Sequence, residues 1–234
     1  MSRKHAKDKI DLSVVMPCLN EEMTIGGCID EVNDFLLGAG LKGEIIVVDN
    51  NCTDDSPKIA KEKGAVVVKE TQPGYGSALR AGLKAAQGER IIMGDCDLTY
   101  NFAKLGDMYD RLALCDVVIG DRFKGGIAHR AMPLSHHIGV RGLSWVARKK
   151  YKTDVYDFHC GLRGIRKDSL AMMDYKTTGM EFATEMIAEA KRKGATIGQV
   201  PVELRRGVKG RKPKLRTVRD GFRHLRYILH DGTN

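Results

Sequence analysis

The stretch Ile91-Ile92-Met93-Gly94-Asp95-Cys96-Asp97 joins a short apolar run to two carboxylates that stand two residues apart. The apolar run predicts a buried β-strand from Arg90 to Met93. In an extended chain, residues i and i+2 point the same way, so Asp95 and Asp97 can converge on one hard divalent cation. The alternative is a turn that only caps a helix beginning at Phe102. The pair alone does not decide between a metal site and a cap.

Outward from this strand, short β-branched runs alternate with helix-length amphipathic segments along the whole chain. This alternation is typical of an α/β protein with a mainly parallel sheet flanked by helices. The other predicted strands are Leu12 to Met16, Glu44 to Asp49, Ala65 to Lys69, Asp116 to Gly120, Gly161 to Arg166 and Thr196 to Val200. Helices are predicted near Met23 to Leu37, Ser56 to Lys63, Tyr75 to Ala86, Phe102 to Leu112, His136 to Lys150, Glu181 to Lys193 and Thr217 to Leu229.

Polar motifs directly follow three of the predicted strands. Pro17-Cys18-Leu19-Asn20-Glu21-Glu22 follows the first strand, Asp49-Asn50-Asn51 the second, and Asp95-Cys96-Asp97 the fourth. In open parallel sheets, ligands bind beyond the carboxyl ends of the strands, where the loops of several βα units meet. The common placement of the three motifs therefore predicts one composite site.

Several residues around this edge are candidates for binding a nucleotide. Asp49 could accept hydrogen bonds from a base or ribose, and Glu21 lies on the neighbouring loop. Asn20 is either a site residue or the cap of the helix that follows. Gly76, at the start of the next predicted helix, offers backbone amides as a phosphate cradle, although a glycine-rich turn is weak support alone.

Arginines and further carboxylates complete the candidate set. Arg122 follows the fifth predicted strand, and its guanidinium matches the oxygens of a phosphate group. Arg141 is a second candidate, with a surface salt bridge as the alternative. If the acceptor of a reaction at this site were a hydroxyl, a general base would be needed, and Asp157, Glu181 and Glu185 are the candidates.

The chain has 234 residues and a net charge of +9, and the window from Arg205 to Arg226 carries all of that net charge, with ten basic residues against one acid. Such a patch predicts a polyanionic partner: ligand phosphates, an anionic membrane face or nucleic acid. The six phenylalanines and seven tyrosines form no stacking array, so nucleic acid is not expected. A solvated basic tail is the remaining alternative.

Three regions are predicted along the chain. Residues 1–10 form a disordered basic tail, residues 11–203 one catalytic domain, and residues 204–234 a basic loop and C-terminal helix packed on or near the site. No apolar stretch is long enough to span a membrane, and no signal core stands at the N-terminus. A cytoplasmic protein, with contact at the cytoplasmic membrane surface, is therefore expected.

Seven motifs follow one another along the chain: Pro17-Cys18-Leu19-Asn20-Glu21, Val47-Val48-Asp49-Asn50, Gly74-Tyr75-Gly76, Gly94-Asp95-Cys96-Asp97, Gly120-Asp121-Arg122-Phe123, Asp157-Phe158-His159-Cys160-Gly161 and Arg219-Asp220-Gly221-Phe222-Arg223-His224-Leu225. In this order they resemble those of inverting family 2 glycosyltransferases with a GT-A fold, particularly the polyprenyl-phosphate sugar synthases related to dolichol-phosphate mannose synthase. The resemblance extends from Leu12 to about Leu229. It implies a Rossmann-like GT-A sheet with a basic C-terminal extension.

The resemblance also implies roles for individual residues. The nucleotide-sugar would be bound by Pro17, Asn20, Glu21, Asp49, Gly76, Asp95 and Asp97. Asp95 and Asp97 would hold Mg²⁺ or Mn²⁺ and, with Arg122 and Asp157, form the catalytic set. The acceptor would be bound by Arg122, Arg141, Arg205, Arg206 and Lys212, and the segment from Arg205 onward would close over the reactants.

The expected reaction is transfer of a sugar from a UDP- or GDP-sugar to polyprenyl phosphate, with a soluble hydroxyl acceptor as the alternative. A basic nucleic-acid-binding protein and a sugar nucleotidyltransferase are the rival interpretations. Sugar nucleotidyltransferases resemble one another in a glycine-rich, arginine-containing loop after the first strand, and this chain lacks that sequence there. Two features depart from the family. Thr99 stands where relatives often place a glutamine metal ligand, and the C-terminal membrane helices of many relatives are missing. Membrane access is then expected to be peripheral, or the acceptor is not a lipid.

Overall fold

A computed structural model describes residues 9–211 and 217–231, in which seven strands form one sheet in the order β3-β2-β1-β4-β6-β5-β7. The strands are β1 (Leu12–Cys18), β2 (Gly43–Asp49), β3 (Val66–Lys69), β4 (Arg90–Met93), β5 (Val117–Asp121), β6 (Arg163–Arg166) and β7 (Ile197–Pro201). All neighbouring pairs are parallel except those of β6, which runs antiparallel to β4 and β5. The predicted mainly parallel α/β sheet is confirmed.

Seven of the nine α-helices in the described residues overlap predicted ones. The nine are α1 (Ile25–Ala39), α2 (Ser56–Glu62), α3 (Tyr75–Ala85), α4 (Gly106–Arg111), α5 (Arg122–Gly125), α6 (Leu134–Tyr151), α7 (Lys167–Leu170), α8 (Phe182–Arg192) and α9 (Thr217–His230). The two short helices α5 and α7 were not predicted. Since helices cover both faces of the central strands, β1 and β4 consist mostly of apolar residues and are almost wholly buried. The core therefore lies on both sides of β1 and β4, beneath the edge that carries the polar motifs.

The segment predicted as one helix from Phe102 to Leu112 is instead two elements. A 3₁₀ turn covers Phe102–Lys104, and α4 begins only at Gly106. The Asn101 side chain accepts from the Ala103 amide, and the Phe102 amide donates to Glu31 at 2.9 Å. These side-chain bonds fix a tight first turn, and glycine is a weak helix former, so the helix restarts at residue 106.

The last helix, α9, packs against α6 and α8. Its inward side chains His224 and Ile228 are buried, and the Lys150 ammonium at the end of α6 donates to the Ile228 carbonyl oxygen. Within the part of the chain that the structure describes, no helix combines the length and the apolar character that crossing a bilayer requires.

Candidate functional site

The loop that carries Asp95 and Asp97 lies against the end of β1. The Gly94 amide donates to Val15 O at 3.1 Å, the Cys96 thiol donates to Pro17 O at 3.1 Å, and the Thr24 hydroxyl donates to Cys96 O at 2.8 Å. The parallel pairing of β1 with β4 thus brings the first and third polar motifs into direct contact.

Arg211 joins these two motifs electrostatically. Its guanidinium donates to both carboxylate oxygens of Glu21 at 2.7 Å, and Nη2 lies 3.1 Å from Asp97 Oδ2. The other oxygen of Asp97 accepts from the amide and hydroxyl of Thr99. Arg211 belongs to the basic window, but a run of cations does not indicate which one reaches a site more than 100 residues away in sequence, so sequence reasoning missed it.

Asp95 lies deeper, beneath Gly161. A side chain at position 161 would place a Cβ only 2.4 Å from Asp95 Oδ2, so this close approach requires glycine. The Tyr100 hydroxyl accepts from the Gly161 amide at 2.8 Å and holds the loop in place. Burial, followed by repulsion from the charge of Asp97, raises the pKa of Asp95 to about 6.

The donor set fits a hard divalent cation. Asp97 lies close enough to Asp95 for its negative charge to raise the pKa of Asp95. The same negative charge favours the binding of a cation between them. Among residues 9–211 and 217–231, no group of three or more His, Cys, Asp or Glu is arranged as a metal site. Mg²⁺ commonly uses one or two carboxylates and takes its other oxygens from phosphate and water, so Asp95 and Asp97 would suffice as protein ligands.

The raised pKa of Asp95 predicts pH-dependent metal binding. Asp95 gains a proton as pH falls through about 6, and a protonated carboxyl is a poorer ligand, so Mn²⁺ affinity should fall between pH 7 and pH 5. Calorimetric titration at both pH values measures this, and Asp95→Asn, which cannot titrate, should show weaker binding and a smaller change. A wild-type affinity that is constant or rises toward pH 5 would contradict the prediction.

Arg211 predicts a second effect on metal binding. Because its guanidinium neutralises Glu21 and Asp97, Arg211→Ala should bind Mn²⁺ about three- to tenfold more tightly in the absence of nucleotide. Arg206→Ala is the matched control, since Arg206 is an exposed arginine of the same segment. Weaker binding by Arg211→Ala would mean that Arg211 orders the carboxylates and does not compete with the cation.

The residues expected to bind the nucleoside tie the first two loops together. Asn20, whose φ of 53° is left-handed, accepts from the Thr53 amide at 2.7 Å through Oδ1, and Asp49 Oδ1 accepts from the Cys52 amide at 2.8 Å. Each side chain keeps a second polar atom outside these contacts. Pro17 lies at the end of β1, where its carbonyl meets the thiol described above.

Gly76 lies in the first turn of α3, against the loop that precedes α8. A Cβ at this position would meet Thr177 O at 2.6 Å, and the neighbouring Ser77 amide donates to Thr178 O at 3.2 Å. One amide of the suggested cradle is therefore engaged by protein backbone, and close packing also requires glycine at position 76, while the role of Gly76 in nucleotide binding stays a prediction.

The two residues expected at the acceptor side, Arg122 and Asp157, bind each other. Arg122 Nε donates to Asp157 Oδ2 at 2.6 Å and Nη2 to Oδ1 at 2.8 Å, and both side chains are buried. Each satisfies the charge of the other, so the pair is first of all a structural element below the site. Arg141 is exposed on α6, with its guanidinium 5.2 Å from the centre of the Phe123 ring.

The basic segment, defined as residues 205–211, folds back onto the loop that carries Asp95 and Asp97, which is called the DxD loop below. The Arg205 amide donates to Thr99 O at 2.8 Å, and its guanidinium forms an ion pair with Glu31 at 2.6 Å. Arg206 is exposed, and Lys212 lies outside the described residues. Of the expected acceptor cations, the structure thus brings Arg205 beside the DxD loop and leaves Arg141 and Arg206 in solvent.

The remaining base candidates are also engaged. Glu181 Oε1 accepts from Arg223 Nη2 at 2.7 Å. Glu185 accepts from the Lys176 amide at 2.8 Å and the Thr177 amide at 3.0 Å. Both carboxylates are buried and organise the loop before α8.

Arg163 is a further residue that sequence reasoning missed. It is buried, and its guanidinium donates to the carbonyl oxygens of Cys160 and Phe158 at 2.6 Å. The strand predicted to start at Gly161 begins only at residue 163, because these bonds hold residues 158–162 as a loop. Arg163 thereby fixes the position of Gly161 over Asp95.

Comparison with known proteins bears on the meaning of this site. A family model described as glycosyl transferase family 2 matches residues 13–172, from β1 to just beyond α7. The chain is 39% identical over 223 residues to the low-salt glycan biosynthesis hexosyltransferase Agl6 of Haloferax volcanii, covering 93% of this chain and 53% of that protein. It therefore spans about half the length of that relative. It is 30% identical over 197 residues to the dolichyl-phosphate hexose transferase of the same organism, covering 83% of each.

Among solved structures, the chain is similar to glucosyl-3-phosphoglycerate synthase from Mycobacterium tuberculosis in complex with Mn²⁺, uridine diphosphate and glucosyl-3-phosphoglycerate. The TM-score is 0.71 at 23% identity, covering 94% of this chain and 79% of that chain. This likeness confirms the expected GT-A fold. The length of the family match and the curated relatives establish the family and enzyme class that the motifs predicted: the chain belongs to glycosyl transferase family 2.

Proposed function

We propose that this chain transfers a hexosyl group, with inversion, from a UDP- or GDP-sugar to a polyprenyl phosphate. The observation that carries the proposal is the placement of Asp95 and Asp97 directly after β4, beside Glu21 and beneath Arg211 of the basic segment. A metal-bound diphosphate requires carboxylates that hold the cation and a positive group that contacts the phosphate oxygens. The two carboxylates and the guanidinium above them supply these charges.

On the donor side, Asp95 and Asp97 would hold Mg²⁺ or Mn²⁺, which supplies neutralisation of the charge that develops on the departing diphosphate. The solved relative with Mn²⁺ and uridine diphosphate supports this assignment. Asn20 and Asp49 would orient the nucleoside with the polar atoms that the loop contacts leave available. The anomeric C–O bond to the diphosphate breaks while the acceptor oxygen bonds from the opposite face, and the nucleoside diphosphate leaves.

On the acceptor side, a phosphate oxygen is already ionised at neutral pH and needs no strong general base. Asp157 pairs with Arg122 and Glu185 accepts from backbone amides, whereas Glu181 pairs with Arg223 through Oε1 and its Oε2 is buried without a hydrogen-bond partner. This arrangement favours a phosphate over a neutral hydroxyl as the attacking group. The relative named dolichyl-phosphate hexose transferase supports a lipid phosphate, and a cytoplasmic membrane surface as the place of reaction belongs to the same proposal.

A soluble hydroxyl acceptor is the second candidate function. The specific observation in its favour is the solved relative, whose bound product is glucosyl-3-phosphoglycerate. This alternative requires a general base, which would be Glu181 through its unpartnered Oε2 or a carboxylate released from its present partners when the acceptor binds.

The proposal is tested by nucleoside diphosphate release from a panel of UDP- and GDP-sugars with Mg²⁺ or Mn²⁺. Each donor is assayed with polyprenyl phosphate, with 3-phosphoglycerate and without acceptor. Release that depends on metal and on polyprenyl phosphate supports the proposal, release that depends only on the soluble acceptor supports the second candidate, and no release with any pair contradicts both.

A further inference from the structure

The outward face of α6 carries large apolar side chains that nothing in the described chain covers. Leu134, Ile138 and Trp145 are 75%, 64% and 55% exposed. Their spacing of four and seven residues places them on one side of the helix. Arg141 and Lys149 lie on the same side and are also exposed. Trp145 is the single tryptophan of the chain.

The outward face of α9 has the same character. Phe222 and Leu229 are 68% and 59% exposed, and Arg219 and Arg226 are exposed beside them. These four residues follow one another at intervals of three or four, so they share one helical face. The opposite face of α9 supplies the buried Ile228 to the core. Packing against the core therefore does not explain the apolar residues on the outer face.

The two helices lie side by side. His224 of α9 packs edge-on against His159 at 4.4 Å between ring centres, and His159 in turn meets Ser144 of α6 at 3.4 Å. At the other end, Lys150 of α6 donates to the Leu229 carbonyl oxygen at 3.4 Å. The outward residues of both helices are called the α6–α9 surface below. They are Leu134, Ile138, Arg141, Trp145, Lys149, Arg219, Phe222, Arg226 and Leu229.

The charged members of this surface, Arg141, Lys149, Arg219 and Arg226, are all cations, and the exposed Asp154 adjoins it in a shallow pocket with Trp145 and Lys149. From Arg122 through Thr153 the sequence contains eight Lys and Arg residues and no Asp or Glu. Exposed aliphatic and aromatic side chains interspersed with cations, without acids, are the composition of helices that lie in the plane of an anionic membrane interface. A nucleic-acid surface would need the cations but gains nothing from exposed leucine and isoleucine.

We propose that the α6–α9 surface docks on an anionic lipid bilayer, with both helices lying in the interface and their apolar side chains inserted among the acyl chains. Docking itself is independent of the reaction. Its link to acceptor delivery rests on the proposed function: the Phe123 ring of α5 packs edge-on against His137 of α6 at 5.0 Å, so the docked helix adjoins the element that carries Arg122. A lipid phosphate would then reach the site from the membrane side.

The test uses the full chain with vesicles of phosphatidylcholine, with or without 30 mol% phosphatidylglycerol, and no sugar donor or polyprenyl phosphate. The expected result is cosedimentation with the anionic vesicles at least about tenfold stronger than with the neutral ones, together with a blue shift of Trp145 emission and its quenching by brominated acyl chains. Neither binding nor a blue shift on anionic vesicles would overturn the proposal.

Paired variants locate the docking face. Ile138→Ser with Phe222→Ser should weaken vesicle binding about tenfold or more. Leu37→Ser with Leu114→Ser, which removes two even more exposed apolar side chains elsewhere, should leave it unchanged. Equal binding by both double variants would overturn the proposal, as would a chain that binds duplex oligonucleotides but no vesicles. Nucleoside diphosphate release with detergent-dispersed acceptor is measured separately, so that its failure counts against the proposed function and leaves the docking result standing.

Discussion

Replacing Asp97 with asparagine is expected to lower nucleoside diphosphate release at least about 100-fold, because the side chain loses the charge that, in the proposed function, would hold the metal against the departing diphosphate. Asparagine has nearly the same shape and can still accept the hydrogen bond from the Thr99 amide, so the fold around residue 97 should persist. Steady-state assays of nucleoside diphosphate release at saturating donor measure the effect.

The matched control for this prediction is Asp107→Asn, the same chemical change at an exposed position on α4. It should retain wild-type turnover. If Asp97→Asn remained within about threefold of wild type under the same conditions, Asp97 would not be a donor-site ligand.

Truncating Asp157 to alanine is expected to cost about 3–5 kcal/mol of unfolding free energy, because it leaves the guanidinium of Arg122 buried without its partner. Urea unfolding followed by circular dichroism measures this loss. Asp154→Ala, three residues earlier and exposed, should change the unfolding free energy by less than about 0.5 kcal/mol.

A double variant distinguishes a charge effect from a packing effect at this position. Arg122→Met with Asp157→Leu removes both charges and keeps apolar volume, so it should be less destabilised than Asp157→Ala alone. If the double variant were the less stable of the two, an unpaired guanidinium would not be the source of the cost, because the double variant removes that guanidinium and keeps the volume.

The strand positions could be predicted because buried β-branched runs in this chain coincide with the sheet. Their direction could not, since nothing in the residues of β6, Arg163-Gly164-Ile165-Arg166, differs between a strand parallel and a strand antiparallel to β4. The meeting of the Asp95 loop with the Pro17 loop followed from general geometry: parallel strands bring their carboxyl ends to one edge.

Contacts between residues that are far apart in the sequence could not be predicted from it. Arg122 and Asp157 were both identified as reactive groups, but their separation of 35 residues gave no sign that they bind each other. Arg211 was one cation among ten, and only the fold selects it for Glu21 and Asp97. The acid-free stretch before Asp154 was overlooked because charges outside the basic window sum to zero, which conceals their uneven distribution.

The most direct test of the account is transfer of radiolabelled sugar from its nucleotide to polyprenyl phosphate in the presence of Mn²⁺, with the product separated by organic extraction. The account predicts metal-dependent label in the organic phase for the wild-type chain and for Asp107→Asn, and at least about 100-fold less for Asp97→Asn. Equal label from wild type and Asp97→Asn, or no organic-phase product from any UDP- or GDP-sugar, would contradict it.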